Sequence, residues 1–385
     1  MAIGIICEYN PFHNGHIYHL EKIKELYKDE EIVLVLGGNF LQRGNLSIIN
    51  KENKTKIALN FGIDLVIELP FAFATQGADV FAKGAIEILK KLKCNKIIFG
   101  SETSSVSLFT KAAKVQLENK NYNTKIKEYL NQGINYPSAL SKALKDIINF
   151  EISKPNDILA LSYIREIIKQ KANITPISIK RTTDYHGTTP LDNITSAESI
   201  RTALKKKDNV EKYLPEISLK YIDENCYENT YFNFLKYKII TENKDIKKYQ
   251  TVDEGIENRI LKNIDRAKNL EDLIEKVKTK RYTYNKICRM FTHILCSFTK
   301  EEALKNKDIS YIRILGFSDK GKKYINSIKK DIDIPIISNI NRKNIKYLYT
   351  DIKAEQVYNL ITARNDNLYT FKPIINNIYS QENKE

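Results

Sequence analysis

Two histidines near the start of the chain are the residues best suited by type and spacing to do chemistry. His13 and His16 stand in the run Asn10-Pro-Phe-His-Asn-Gly-His16, directly after an apolar segment. If that segment is a strand that turns into a helix, both imidazoles lie on one side of the first helical turn, where an anion is favoured. Gly15 allows close approach of the chain. The rings could then donate hydrogen bonds to a phosphoryl group as negative charge builds on it. The alternative is that they only cap the helix.

A second element of this kind occurs near residue 200. The run Ser196-Ala-Glu-Ser-Ile-Arg201 predicts a helix with Ser196 as N-cap and Ser199 in the first turn. Hydroxyl groups and the Arg201 guanidinium at a helix start suit the outer phosphates of a triphosphate. The two elements together predict a nucleotide site.

The elements that must position these residues follow from the apolar pattern. Short β-branched runs at residues 3–7, 32–36, 65–67 and 96–99 alternate with amphipathic stretches, which predicts a Rossmann-like α/β domain with a parallel sheet. Ligands bind such sheets at the carboxyl ends of the strands, where the histidine turn is expected. Residues 106–170 predict a helical insertion before a return strand at 175–180.

The second half is mainly α-helical in period. One late apolar run, Ile334-Pro-Ile-Ile-Ser338, is a candidate strand. At 385 residues the chain suits two domains. We therefore expect a nucleotide-binding catalytic domain over residues 1–210 and a mainly helical domain over 211–385.

Composition narrows the class of protein. The net charge of +15 favours a polyanionic partner such as nucleic acid, although a bias towards Lys, Ile and Asn would also explain it. The N-terminus lacks a basic region, and no apolar run is long enough to cross a bilayer, so we expect a cytoplasmic protein without a membrane partner. Five scattered cysteines without zinc-ligand spacing predict reduced thiols and no metal site. They are Cys7, Cys94, Cys226, Cys288 and Cys296.

A basic segment in the second half is the clearest candidate for nucleic-acid contact. If residues 278–289 are helical, Lys278, Arg281, Asn285 and Arg289 share one side, and Lys280 is a neighbouring cation. Tyr282 or Tyr284 could stack on an unpaired base. The alternative is a charged face that is only solvated. Arg259 and Arg313 are weaker candidates, each equally suited to a structural ion pair.

Several motifs, in order, resemble the HIGH superfamily of nucleotidyltransferases and, within it, the bacterial tRNA(Met) cytidine acetate ligase family. They include Glu8-Tyr-Asn-Pro-Phe-His-Asn-Gly-His-Ile-Tyr-His19, Gly38-Asn-Phe-Leu-Gln-Arg-Gly44, Asp64-Leu-Val-Ile-Glu-Leu-Pro-Phe71, Phe99-Gly-Ser-Glu102, Lys154-Pro-Asn-Asp-Ile-Leu-Ala160, Ser196 to Arg201, Glu254-Gly-Ile-Glu-Asn-Arg259 and Lys278-Thr-Lys-Arg-Tyr-Thr283. The likeness covers nearly the whole chain.

The resemblance implies an enzyme that joins acetate to ATP as acetyl-adenylate and transfers the acetyl group to N4 of the wobble cytidine of elongator tRNA(Met). The resemblance also implies that ATP is a substrate, bound together with Mg²⁺ on its phosphates. The residues implied in ATP binding are Cys7, Glu8, Tyr9, Asn10, Pro11, Phe12, His13, Asn14, Gly15, His16, His19, Gly100, Asn156 and Arg181. Gln42 and Arg43 are candidates for phosphate or acetyl contacts. Glu198 departs from the family, whose members more often have a small or hydroxyl residue there.

Other interpretations remain open at this point. Asn156 suits a helix cap as well as an adenine or ribose ligand, and Glu68 suits a central strand better than a direct role. A first rival function is a small-molecule adenylyltransferase of cofactor synthesis that uses no RNA. A second is a non-catalytic RNA-binding protein that keeps a nucleotide site.

Overall fold

The computed structural model of the protein describes residues 1–181, 193–223, 225, 227–366 and 368–376. Cys226, one of the cysteines expected to be reduced, lies outside the described residues. The other four cysteines are free thiols. Across the described ranges, no helix is both long and apolar enough to cross a membrane.

A mostly parallel sheet of eight strands forms the centre of the fold. Its first five strands are β1 (Ala2–Cys7), β2 (Glu31–Gly37), β3 (Leu65–Leu69), β4 (Cys94–Ser101) and β5 (Thr175–Lys180). They pair in the order β5-β4-β1-β2-β3, each pair parallel. β2 and β3 are almost entirely buried, as strands covered on both faces must be. The predicted α/β class is confirmed.

Eight helices of the first half connect and cover these strands. They are α1 (Asn14–Leu26), α2 (Lys51–Asn60), α3 (Phe71–Ala74), α4 (Ala78–Lys91), α5 (Val106–Glu118), α6 (Lys120–Asn131), α7 (Tyr136–Ile148) and α8 (Pro155–Lys169). Helices α5–α8 form the expected insertion between β4 and β5. Helix α8 packs on both α4 and α5, so the insertion shares the main core.

The second half is mainly helical, as expected. Its helices are α9 (Ala197–Lys205), α10 (Glu216–Tyr221), α11 (Glu228–Glu242), α12 (Ile256–Ile264), α13 (Leu270–Val277), α14 (Tyr284–Leu295), α15 (Lys300–Lys305), α16 (Asp319–Ile328) and α17 (Tyr349–Ile361). Helices α11–α14 pack against one another. Helices α12 and α13 are strongly amphipathic and each buries one face, as helices of a small bundle do.

Three strands of the second half join the same sheet. They are β6 (Ile312–Ser318), β7 (Ile336–Ile337) and β8 (Ile374–Asn376). β6 runs antiparallel to β3, and both β7 and β8 pair with β6. β7 lies in the candidate strand, whereas β6 was not predicted, because Arg313 and Gly316 interrupt a short apolar run. The division at residue 210 stays a prediction, and the sheet contains strands from both sides of it.

The pairing of β3 with β6 buries a cluster of charged side chains. Glu68 and Arg313 are register partners, and Glu68 Oε2 lies 2.9 Å from Arg313 Nη1. Lys51 Nζ lies 3.0 Å from Glu68 Oε1 and 2.5 Å from Glu355 Oε2 on α17. Although burial opposes it, Arg313 and Lys51 hold the pKa of Glu68 below its ordinary value. Arg313 therefore takes part in a structural ion pair, which was one of the two roles predicted for it. Glu68 lies in a central strand.

We expect Arg313→Met to lower the free energy of unfolding by about 3 to 5 kcal/mol, because it leaves two buried carboxylates with one cation. Urea unfolding followed by circular dichroism measures this. The control is Lys145→Met, which breaks the exposed pair of Lys145 with Glu151 and should leave the free energy of unfolding nearly unchanged. Equal losses in the two variants would contradict a structural role for the buried cluster.

Candidate active site

The two histidines cap the start of α1, because both Nδ1 atoms accept backbone N–H groups of the turn. His13 is the N-cap, and its Nδ1 accepts the N–H of Gly15 at 3.0 Å. The N–H of His13 donates to Nδ1 of His16 at 3.2 Å. The ring centroids are 3.9 Å apart. A Cβ on residue 15 would lie 2.8 Å from Cε1 of His13, so glycine is required there by space.

These bonds determine which nitrogen of each ring carries the proton. Because both Nδ1 atoms accept backbone N–H groups, the neutral rings carry their hydrogens on Nε2. Burial lowers the pKa of His13 to about 3 and also lowers that of His16, and the nearby Arg181 guanidinium contributes to both shifts. Both rings are therefore neutral near pH 7. No described residue bonds to either Nε2, so capping and ligand binding can use different nitrogens.

The surroundings of the pair are buried and polar. The Tyr9 ring packs edge-on against His16, with centroids 4.7 Å apart. His19 Nε2 is buried and has no hydrogen-bond partner in the described part of the chain. Burial raises the pKa of the Cys7 thiol to about 12, so Cys7 is protonated and not a nucleophile. A ligand in this turn therefore meets neutral groups first.

Long-range hydrogen bonds hold the turn before α1 in place. Asn10 Oδ1 accepts the N–H of Ile48 at 2.8 Å, and the Asn10 carbonyl accepts Arg201 Nη1 at 2.6 Å. Asn14 Nδ2 donates to the carbonyls of Asn193 and Lys212, at 3.1 and 3.0 Å. Pro11 and Phe12 are buried, and Phe12 stacks on Phe61. The turn is thus tied to segments far away in the chain.

A fully buried lysine joins the carboxyl ends of β1 and β2. Lys54 Nζ donates to the carbonyls of Glu8, Gly37 and Gly38, at 2.9, 2.7 and 2.7 Å. Burial lowers the pKa of Lys54 to about 7, although Glu8 and Glu68 oppose the shift. Burial also raises the pKa of the Glu8 carboxyl, whose Oε1 accepts the N–H of Gln42 at 2.6 Å. The ammonium group therefore sets the spacing of the two strand ends beneath the histidine turn.

The structure brings Gly100, Arg181 and Asn156 to the ends of β4 and β5. A Cβ on Gly100 would lie 3.3 Å from Cγ of Arg181, so the two residues are neighbours. Asn156 is not the cap of α8, because Lys154 occupies that position; Asn156 Nδ2 instead donates to Glu102 Oε1 at 2.6 Å. Arg181 also influences the pKa values of all three histidines of the turn. These residues line the side of the site that faces β4.

Helix α9 and the segment 38–46, here called the QRG loop, lie on the opposite side. Ser196 caps α9, and its Oγ is 2.8 Å from Ser199 Oγ. Arg43 Nη1 of the QRG loop lies 3.0 Å from Glu198 Oε2 on α9. An open depression of about 470 Å³ runs along the helix and is lined by Ser196, Glu198, Ser199 and Lys206, among others. All of its lining residues lie between positions 196 and 208, so the depression is a feature of the α9 segment.

Comparison with known proteins places the chain in a family. A model described as HIGH Nucleotidyl Transferase matches residues 1–370. A tRNA(Met) cytidine acetate ligase of Geobacillus sp. (strain WCH70) is 40% identical over 365 residues, 90% of this chain and 90% of that one. The ligase of the same name from Bacillus subtilis (strain 168) is 36% identical over 384 residues, covering 93% and 92%. The chain belongs to the tRNA(Met) cytidine acetate ligase family of HIGH nucleotidyltransferases.

Solved structures of this ligase family share the whole fold. The apo crystal structure of Thermotoga maritima TmcAL matches with a TM-score of 0.88 and 29% identity, covering 97% of this chain and 99% of that chain. The structure of TmcAL bound with alpha-thio ATP matches with a TM-score of 0.86, 28% identity and the same coverage. The expected fold and family are confirmed.

The basic segment of this ligase differs from the helix considered above. Helix α14 begins only at Tyr284, and residues 278–283 form a turn in which Tyr282 N–H donates to Thr279 Oγ1. Lys278, Lys280 and Arg281 are exposed on this turn. Arg289 is on the helix and its Nη1 lies 3.4 Å from the Gln42 carbonyl. The interpretation of one continuous basic helix face was therefore wrong.

The aromatic side chains of this segment are also engaged within the ligase. Tyr282 is buried, and its hydroxyl donates to the Asp253 carbonyl at 2.7 Å. Tyr284 is partly exposed, and its hydroxyl donates to Glu271 Oε2 at 2.7 Å. Arg259 bonds the carbonyls of Val277 and Lys278, which makes it a structural residue of the turn. Of the two tyrosines, only Tyr284 presents ring surface.

Two residues that organise the ligase site were not foreseen. Lys54 stands three residues after Lys51 in an ordinary charged helix pattern, and nothing local separates it from the exposed Lys56. Glu102 accepts both Asn156 Nδ2 and the N–H of Asp157, at 2.6 and 3.1 Å. The motif Phe99-Gly-Ser-Glu102 was the available signal for Glu102. For Lys54 the deciding contacts are tertiary.

Buried neutral histidines make the stability of this ligase fall in acid. Burial lowers the pKa of His19 to about 4, whereas an unfolded histidine has a pKa of about 6.5. The unfolded chain thus binds the extra proton first, so stability decreases as the pH falls through this window. Between pH 7.5 and 5.5, His19→Asn should lose about 1 kcal/mol less unfolding free energy than the wild type. Urea unfolding at both pH values measures this; identical pH dependence in both proteins contradicts it.

Proposed function

We propose that this protein is an ATP-dependent ligase that activates acetate as acetyl-adenylate and acetylates N4 of the wobble cytidine of elongator tRNA(Met). The observation that carries the proposal is the pair of neutral imidazoles whose Nδ1 atoms are committed to the backbone at the start of α1. Their Nε2–H groups are donors of fixed direction at the carboxyl end of a parallel sheet. The proposal agrees with the name of its relatives, tRNA(Met) cytidine acetate ligase.

In the first step an acetate oxygen attacks the α-phosphorus of ATP. The bond from that phosphorus to the oxygen bridging to the β-phosphate breaks, and pyrophosphate leaves. Negative charge builds on the phosphoryl oxygens during this transfer. His13 and His16 would donate from Nε2 to these oxygens, and neutral donors held by the backbone need no reorganisation as the charge develops. Asn10 and the turn backbone would orient the nucleotide.

Other ATP contacts follow from the two sides of the site. On the β4 side, Gly100, Asn156 and Arg181 would hold the nucleoside and α-phosphate, together with the stretch from Cys7 to His19. On the opposite side, Ser199 and Arg201 would hold the departing pyrophosphate. No group of three or more potential metal-ligating side chains occurs among the described residues. A Mg²⁺ ion would therefore be held mainly by the phosphates of ATP.

In the second step the N4 amine of cytidine attacks the acetyl carbonyl carbon. The bond from that carbon to the AMP oxygen breaks, AMP leaves, and the nitrogen loses one proton. Lys278, Lys280 and Arg281, on their exposed turn, would contact phosphates of the tRNA. Arg289, which lies against the QRG loop, would act on RNA only near that loop. Tyr284 is the candidate for base stacking. Because its substrates would be ATP and tRNA, we expect the reaction to occur in the cytoplasm.

Incubation with ATP and labelled acetate, with and without elongator tRNA(Met), tests the proposal. We expect acetyl-adenylate and pyrophosphate without tRNA, and labelled N4-acetylcytidine with it. Pyrophosphate exchange that needs a small phosphorylated substrate instead of acetate would favour the cofactor-forming adenylyltransferase. ATP binding without acetate-dependent turnover would favour a non-catalytic RNA-binding protein. A tRNA with uridine at the wobble position is the matched negative control.

A double variant can separate catalysis from capping. His13→Asn keeps an N-cap acceptor, and His16→Gln keeps a side chain that reaches back to the N-cap backbone. The two together preserve the cap acceptors and remove both imidazole Nε2–H groups, so that each new side chain offers only its amide N–H groups, from a different position. We expect the rate of acetyl-adenylate formation to fall by about 10² or more, with a melting temperature close to that of the wild type.

The comparison variant is His13→Ala with His16→Ala, which removes both donors and the cap. It should lose the same activity and in addition about 1 kcal/mol or more of stability. If the cap-preserving variant forms adenylate at the wild-type rate, the two imidazoles act only as caps and the proposed mechanism fails.

A further inference from the structure

A ring of contacts surrounds the mouth of the ATP site. Gln42 N–H is bonded to Glu8 Oε1, and its neighbour Arg43 pairs with Glu198 on α9. One turn further along α9, Arg201 donates to the Asn10 carbonyl, which returns the ring to the histidine turn. The pair of Arg43 with Glu198 is the one link in this ring between two side chains at the surface, with side chains 38% and 69% exposed.

The two neighbours of this pair are themselves charged and close to it. Arg201 interacts electrostatically with Glu198, Glu8 and Arg43. Glu8 interacts with Arg43 and Arg201 as well as Lys54. Four alternating charges thus meet at one point, two guanidinium groups and two carboxylates. Glu8 and Arg201 are fixed by backbone partners, whereas the side chains of Arg43 and Glu198, within the described part of the chain, bond only to each other.

The QRG loop is anchored in a way that leaves Arg43 facing α9. The Gly44 carbonyl accepts Thr292 Oγ1 at 2.6 Å, and Gly44 has a φ of +83° with its α-carbon pressed against the backbone of Cys288 and Arg289. With Gln42 bonded on one side and Gly44 packed on the other, the backbone at residue 43 has little freedom. The side chain of Arg43 is therefore held near α9. Its position is fixed, but the anionic group that it pairs with can change.

We propose that Arg43 binds the outer phosphates of ATP and that Glu198 is its resident competitor, so that Glu198 sets the affinity for ATP. This inference rests on the proposed function, because it assumes that the triphosphate enters between the histidine turn and α9. The Glu198 carboxylate occupies the guanidinium in the free protein, and the triphosphate displaces it. Phosphate suits the planar fork of arginine at least as well as a carboxylate does.

The size of the effect follows from the exposure of the pair. An exposed ion pair such as that of Arg43 with Glu198 stabilises the free protein only slightly. Breaking it before ATP binds therefore weakens the affinity for ATP by a factor of about five or less. Glu198→Gln should therefore lower the dissociation constant for ATP by up to about fivefold. Since the contact is with the outer phosphates, the dissociation constant for AMP should not change.

Calorimetric titration with a non-hydrolysable ATP analogue, without acetate or tRNA, tests the inference. The proteins are the wild type, Glu198→Gln, Arg43→Gln and the double variant. Arg43→Gln should raise the dissociation constant by about tenfold, as expected for loss of a charge-assisted phosphate contact. In the Arg43→Gln background, the added Glu198→Gln change should have no further effect. Glu228→Gln, which breaks the exposed pair of Lys205 with Glu228 beyond the other end of α9, is the matched control.

Each result has a distinct meaning. Tighter ATP binding that disappears in the double variant supports the competition. An unchanged dissociation constant in Glu198→Gln, or a gain that persists without Arg43, overturns it even if acetate ligation proceeds normally. A gain of equal size for AMP also overturns it, because the contact would not be with the outer phosphates. Failure of the wild type to bind the analogue at all would instead refute the proposed function.

Discussion

The reciprocal hydrogen bonds between backbone and Nδ1 atoms at His13 and His16 are the interaction on which the site depends. An imidazole free to rotate could offer either nitrogen, and could be protonated or neutral near pH 7. Here both Nδ1 atoms are occupied by N–H groups and both rings are buried. The same two bonds that begin α1 therefore also assign the tautomer and aim both Nε2–H groups. In the proposed mechanism, helix capping and phosphoryl recognition are therefore one arrangement and not alternatives.

A turn this well defined needs fixed strand ends beneath it. Lys54 joins the carbonyls at the ends of β1 and β2, and Asn10 is held by Ile48 and Arg201. Further out, Lys51 belongs to the buried charge cluster that joins α2 to β3, β6 and α17. One short helix, α2, thus links the histidine turn to the C-terminal strands. Removing a single charge from this path leaves its partner buried and uncompensated, which is why such changes are costly.

Much of the fold could be predicted from local pattern, because the strands of the first half are short β-branched runs between amphipathic helices. The histidine turn and the start of α9 were also predictable, since caps and phosphate-binding helix starts have local signatures. Whether an individual lysine is buried or exposed was not predictable. Lys51, Lys54 and Lys56 lie on one helix, and tertiary contacts bury the first two but leave the third exposed.

Tertiary contacts that a local pattern cannot show also explain two errors in the second half, the missed strand β6 and the helix expected at residues 278–283. Strand β6 contains Arg313, whose burial is acceptable only because Glu68 and Glu355 face it from other elements. The basic segment 278–283 has helical spacing, yet Tyr282 is drawn inward by the Asp253 carbonyl and the chain turns instead. In both places a contact distant in sequence overrides the local pattern, which no single segment can reveal.

In the proposed site, the charged residues and the neutral residues have different tasks: the first act on the affinity for ATP and the second on the rate of phosphoryl transfer. The triphosphate is highly anionic, and the neutral histidines contribute little to attracting it. Arg43, Arg181 and Arg201 supply the positive charge, and Glu8 and Glu198 partly offset it in the free protein. Cations that meet phosphates in the bound substrate stabilise the ground state and the transition state alike, so they act mainly on binding. Donors aimed at oxygens whose charge grows during transfer act mainly on the rate. Under the proposed mechanism, keeping the two imidazoles neutral therefore reserves their contribution for the step in which the bond at the α-phosphorus breaks.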